Sequence, residues 1–120
     1  MTQESMILPN GGRAIVDIEK LRDYCLSGQH PEGRHKAKVF LSALGMASSD
    51  AVELRELLLT AAAVNSDALM TSADEYGCRY SLDFSVIWGN CEAVVRSAWI
   101  IKVDEDFPRL VTCYVLRGAA

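Results

Sequence analysis

The sequence is poor in the residues on which metal, disulfide and phosphate-loop chemistry depends. Its 120 residues include two histidines, three prolines and four cysteines. No two cysteines are close in sequence, and there is no C-x-x-C, P-loop, H-E-x-x-H or G-x-G-x-x-G motif. We therefore predict no metal and no cofactor. The cysteines should be reduced, and three of the four should pack as small apolar side chains. They are Cys25, Cys78, Cys91 and Cys113.

Positive charge and long apolar runs are also scarce. Twelve basic residues face sixteen acidic ones, for a net charge of −4. The overall field therefore does not attract nucleic acid, although a local basic site is compatible with this charge. The polar residues 1–6 and the lack of a bilayer-length apolar run predict a cytoplasmic chain without membrane association. Length and composition predict a single domain, 1–120, with loose termini at 1–5 and 117–120.

The strictest pattern in the chain is a β-hairpin. Apolar side chains take every second position in residues 80–88, which is typical of a half-buried strand. Gly89-Asn90 favours a two-residue II′ turn, because glycine tolerates a positive φ at its first position. Residues 91–103 are then the return strand.

A two-residue turn also predicts the register of the hairpin. Tyr80 should face Trp99 on the apolar side, and Asp83 should face Arg96 on the polar side. An opposite-charge pair directly across an antiparallel ladder contributes roughly 0.2–1 kcal/mol.

Three helices are predicted before the hairpin. The first runs from about Ile18 to Leu26 after an Asp17 N-cap, and the second from about Arg34 to Leu44 before Gly45. The third begins near Ser49 or Asp50, with a capping-box-like Asp50–Glu53 pair, and fades after Val64. A short extended piece is predicted at 68–70 and a final strand at 110–116. The predicted core consists of Phe40, Leu41, Leu44, Leu54, Leu57, Leu58, Phe84, Val95 and Trp99.

Helices first and hairpin-connected strands last indicate an α+β fold. About three N-terminal helices should pack on one face of a small antiparallel sheet that contains the hairpin and a C-terminal strand. The other face of the sheet should be partly open, and a site could form there.

Basic residues concentrate at the start of the second helix. Arg34, His35, Lys36 and Lys38 suit anion binding or acid–base chemistry, or they simply form a solvated helix face. His30, before Pro31, is either a second acid–base group or a hydrogen-bonding partner of the turn backbone.

The polar face of the sheet offers a second candidate. Arg79, Asp83 and Arg96, joined by Thr112 and Tyr114, either hold a phosphate or form a cross-strand ion pair on a solvated surface. Tyr80, Trp88 and Trp99 could form a platform on which bases stack. Tyr80 and Trp99 fall on the apolar side of the hairpin, so packing in the core is favoured instead.

Several segments together resemble a known family. Residues 30–40 read H-P-x-G-x-x-K-A-x-x-F, and residues 76–80 read Y-G-x-R-Y. Further on come V-R-x-x-W-I at 95–100 and P-x-L-x-T at 108–112. The set resembles a small bacterial domain of unknown function, which occurs alone and at the C-termini of polymorphic toxins. The layout is also similar to that of barnase–colicin–RelE-like ribonucleases.

That resemblance implies a toxin-type domain that cleaves RNA without a metal. The alternative is a non-catalytic protein-interaction module, such as an accessory or immunity-like partner. The partner would be RNA or a cognate protein, and the oligomeric state stays open. By analogy, the site residues are His30, His35, Lys36, Arg79, Arg96 and Thr112.

Overall fold

The computed structural model describes residues 5–116 and has the predicted α+β architecture. Except for Ser5, the predicted loose termini lie outside the described residues. Helix α1 spans Ile18–Lys20 and continues as a π-helical turn, Leu21–Cys25. Helix α2 spans Arg34–Leu44, and α3 spans Ala51–Val64 after a 3-10 turn at Ser48–Asp50. Four strands follow: β1 Ala68–Asp74, β2 Gly77–Trp88, β3 Cys91–Lys102 and β4 Arg109–Val115.

The strands form one antiparallel sheet in the order β1-β2-β3-β4. Strand β1 extends beyond the predicted 68–70, because its backbone pairs with β2 as far as Asp74. Helices α2 and α3 contact the sheet, and α2 lies nearest to β3 and β4. Strand β4 is an edge strand, and Ile15 pairs with its first residue, Arg109, through a parallel bridge.

The hairpin register is confirmed. Trp88 pairs with Cys91 across the turn, and Gly89 has the positive φ of 61° that a II′ turn requires. Tyr80 consequently pairs with Trp99, and Asp83 pairs with Arg96.

The predicted core is confirmed except at two leucines. Leu41 is 58% exposed, so its predicted burial is wrong, and Leu57 is only partly buried. Ala37, Phe40 and Leu44 are the buried residues of α2. Leu41 follows Phe40 by about 100° around the helix, so it lies at the margin of that stripe, on the side away from Phe40.

The N-terminal caps of α1 and α3 differ from the prediction. Asp17 precedes α1 but makes no side-chain capping bond. The Asp50 carboxylate accepts a hydrogen bond from the backbone N–H of Ala47 at 3.0 Å. Asp50 is thus the last residue of the capping turn, and its predicted pairing with Glu53 is wrong. Gly45 ends α2 with φ 75°, as predicted.

Candidate functional site

The centre of the site is the ammonium group of Lys36, on α2. Its Nζ donates a hydrogen bond to Thr112 Oγ1 on β4 at 3.0 Å. The same nitrogen lies 4.9 Å from the ring centre of Tyr24 and 5.8 Å from that of Tyr114. The negative faces of the rings attract the cation. Three elements far apart in sequence therefore fix one partly buried positive charge.

A bulge in β4 makes this arrangement possible. Thr112 pairs with Ala98, but Leu110 pairs with Trp99, so Val111 has no partner in the ladder. A bulge inserts one residue and changes which face the following side chains occupy. Leu110 thereby enters the core, while Thr112 and Tyr114 stay on the side of the polar sheet face.

A thiol forms the inner wall of the site. Cys25 Sγ lies 3.8 Å from Thr112 Oγ1. An ammonium group has only donors, so Oγ1 accepts from Lys36 and its own hydrogen is available to the sulfur. Hydrogen bonding by Cys113, helped by Thr112 and the charge of Lys36, lowers the pKa of Cys25 to about 6 in spite of burial. The same thiol contact, together with burial, raises the pKa of Cys113 well above its ordinary value.

His30 supports the site from behind. Its Nδ1 accepts hydrogen bonds from the backbone N–H groups of Glu32 at 3.0 Å and Gly33 at 3.1 Å. Its ring meets Tyr24 edge-on, with 4.6 Å between centres. His30 thus hydrogen-bonds the backbone of the turn. Its ring also packs against Tyr24 and so helps to position that ring beside Lys36.

His35 is the histidine that lies beside Lys36. The two residues line a cavity of about 300 Å³, together with Val39, Tyr114 and the end of β4. His35 is exposed, so its ring is accessible from solvent.

The two sheet arginines line a neighbouring cavity of about 330 Å³ on the open face. Arg96 makes two hydrogen bonds of 2.8 Å to Asp83, and Arg79 makes one of 2.6 Å to Asp74. Bonding to Asp83, with a smaller contribution from Tyr114, raises the pKa of Arg96 above its ordinary value. Both arginines are therefore already paired with carboxylates.

The predicted site residues fall into two adjoining groups. Lys36, Thr112 and His35 meet at the edge of the sheet, with His30 behind them, whereas Arg79 and Arg96 lie in the second cavity. The ring of Tyr114 lines both cavities and joins them.

Burial decides the expectation of a stacking platform, and proximity adds two residues to the site. Tyr80 is 5% exposed and Trp99 is fully buried, so they form no stacking platform. Tyr24 and Cys25 belong to the site but were not predicted. No local motif marks them, since only the packing of the π-helical turn against β4 brings them to Thr112.

Within residues 5–116, no helix is long and apolar enough to cross a membrane. The same residues contain no group of three histidine, cysteine or acidic side chains arranged to hold a metal ion. All four cysteines carry free thiols, of which Cys25 and Cys113 are buried.

The fold and the site together define the class of protein. It is an α+β domain with helices on one face of an antiparallel meander and with the ammonium group of Lys36 held at one edge of the sheet. The chain belongs to the family described as a domain of unknown function, DUF6883, which matches residues 7–117. No curated protein matches the sequence.

The fold is similar to that of solved structures. One of them is a chain from a contact-dependent growth inhibition toxin–immunity protein complex of Klebsiella pneumoniae 342, with a TM-score of 0.70 and 18% sequence identity. The alignment covers 85% of the present chain and 99% of the other. At this identity the two proteins share the fold.

Proposed function

We propose that this protein is a toxin-type domain that cleaves RNA without a metal, acting in the cytoplasm with Lys36 at the centre of its site. The observation that carries the proposal is the cation held between Thr112 and two aromatic rings. Among residues 5–116, Lys36 has no carboxylate within ion-pair distance, in contrast to the two sheet arginines. A fixed cation without a carboxylate partner is suited to binding an anion, such as a phosphodiester.

The surrounding groups supply the other roles that RNA cleavage needs. Attack of a ribose 2′-hydroxyl on phosphorus creates negative charge on the phosphate oxygens, which Lys36 would stabilise. His35 lines the same cavity and would take the proton of the 2′-hydroxyl as the P–O5′ bond breaks. It would then return that proton to the departing 5′-oxygen, which leaves a 2′,3′-cyclic phosphate. His30 would act by holding Tyr24, and Arg79 and Arg96 would border the path of the RNA across the open face.

The structural comparison supports the toxin-related part of this proposal. The similar chain comes from a complex between a growth-inhibition toxin and its immunity protein. A domain of this kind would have a cognate protein partner in addition to RNA.

The test is cleavage of total RNA by purified protein. We expect the parent to cut RNA equally well with and without EDTA. Lys36→Ala should lower the rate by on the order of 100-fold, because a preorganised donor to the phosphate is lost. Lys20→Ala removes an exposed lysine on α1 and is the matched control, with an unchanged rate. Intact RNA after prolonged incubation with the parent would contradict the proposal.

The second candidate is a non-catalytic interaction module. The pairing of Arg79 with Asp74 and of Arg96 with Asp83 favours it, because a neutralised arginine binds phosphate less readily. This candidate predicts no cleavage by the parent and no effect of Lys36→Ala on RNA.

A further inference from the structure

A groove along α2 adjoins the site just described at His35. It encloses about 510 Å³ between α2 and the segment 46–48. Leu26 and Met46 form its buried apolar floor, and Leu41 stands 58% exposed at its side. Its basic rim consists of Arg34, His35 and Lys38.

The rim of this groove carries uncompensated positive charge. Within residues 5–116, every arginine except Arg34 lies within ion-pair distance of a carboxylate. Lys38 likewise has no ion pair in this part of the chain, and the first turn of α2 contains no acidic residue. In a chain of net charge −4, this rim is a local positive patch beside exposed apolar surface.

We propose that the groove binds an acidic segment of a partner protein. An apolar side chain of that segment packs on the exposed Leu41, and its carboxylates pair with Arg34 and Lys38. Charge complementarity selects the partner and speeds its association, while burial of the apolar side chain supplies affinity.

The chemistry of the groove favours a protein segment over RNA. Single-stranded RNA binds where bases stack on aromatic rings along a basic path. No phenylalanine, tyrosine or tryptophan lines the groove, and half of its ten lining residues are apolar. The groove shares His35 with the cavity of Lys36, so a bound partner would lie next to the proposed RNA site.

The test is a selection of random short peptides displayed on phage against the full-length parent. The enriched peptides should combine aspartate or glutamate with a large apolar residue. The best of them is then synthesised, and its Kd is measured by fluorescence anisotropy with each variant. Leu41→Ser and the double variant Arg34→Glu, Lys38→Glu should each weaken binding on the order of tenfold.

Two matched controls separate the groove from the rest of the surface. Lys20→Glu reverses the charge of an exposed residue on α1, and Val52→Ser makes polar a side chain that is 60% exposed on α3. Neither should alter the Kd. Circular dichroism melting of all variants verifies that they are folded, which is expected because the changed side chains are exposed.

Several results would overturn the proposal. They are a failure to enrich acidic peptides, equal binding by parent and groove variants, and equal losses in the control variants. A single-stranded 2′-O-methyl RNA oligonucleotide, which lacks the attacking 2′-hydroxyl and so cannot be cleaved by this reaction, is measured in parallel. If Leu41→Ser weakened RNA binding as much as peptide binding, the groove would be an RNA path and the proposal would be wrong. Since binding alone is measured, the outcome is independent of whether the protein cleaves RNA.

Discussion

Ser97 is a fully buried polar residue on the core face of the sheet, and its removal has a calculable effect. Its hydroxyl donates a hydrogen bond to the carbonyl of Leu82 at 2.7 Å and accepts one from the indole Nε1 of Trp99 at 2.8 Å. Both partners are buried as well. Ser97→Ala would therefore leave the indole N–H of Trp99 without an acceptor, in a place that water does not reach.

The expected cost follows from this geometry. A buried donor that loses its partner destabilises a protein by about 1–3 kcal/mol. For a domain of this size, each kcal/mol lowers Tm by about 3–6 °C. We thus expect Ser97→Ala to unfold several degrees below the parent. Trp99→Phe removes the indole N–H. Ser97→Ala should therefore lower the free energy of unfolding clearly less in the Trp99→Phe variant than in the parent.

Urea and thermal unfolding of the parent, both single variants and the double variant complete the cycle. Ser85→Ala is the matched control, because Ser85 is an exposed serine on the opposite sheet face and should be nearly neutral. The reasoning is refuted if Ser97→Ala melts with the parent, or if its cost is the same in the presence and absence of the indole.

Three further predictions concern packing and ionisation. Phe40→Ala should cost about 3–5 kcal/mol and Leu41→Ala well under 1, as measured by urea unfolding, because only Phe40 is buried. Gly33→Ala should lower Tm and Gly28→Ala should not, since a Cβ on Gly33 would collide with the backbone carbonyl of Tyr24 in the π-helical turn, while the space around Gly28 is open. The pKa of Cys25 is lowered to about 6 from an ordinary 9.0. Ionisation of this thiol therefore adds to the free energy of unfolding at alkaline pH, and the contribution is lost as the pH falls through 6. Between pH 6 and 8 the free energy of unfolding of the parent should therefore rise by about 1 kcal/mol per pH unit relative to Cys25→Ala, and parallel pH curves for the two proteins would contradict this assignment.

Secondary structure and register were predictable where a local rule decides them. The alternation in residues 80–88 and the two-residue turn at Gly89-Asn90 predicted the pairing of Asp83 with Arg96. Helix α2 was predicted with its observed ends, because an apolar stripe and Gly45 mark them. Leu41 was predicted wrongly because the spacing rule allows a wider apolar face than the sheet covers.

The candidate site was predictable in part. Lys36 and Thr112 were chosen on the basis of the resemblance, and the structure places them in direct contact. The proximity of Tyr24 and Cys25 was not predictable, because no sequence pattern describes how a π-helical turn packs against a distant strand. The assignment of Arg79 and Arg96 to phosphate binding stays a prediction, since each already has a carboxylate partner.

The sequence by itself determined the elements, the hairpin register and the division of β2 into an apolar and a polar face. These features depend on backbone sterics and on side-chain periods that act over a few residues. Only the tertiary structure decided that Lys36 reaches Thr112, that the bulge at Val111 turns Leu110 into the core, that Tyr114 joins the two cavities, and that Arg34 lies at an apolar groove. The physical reason is that these contacts join residues far apart in the chain, and their geometry depends on how the helices pack on the finished sheet.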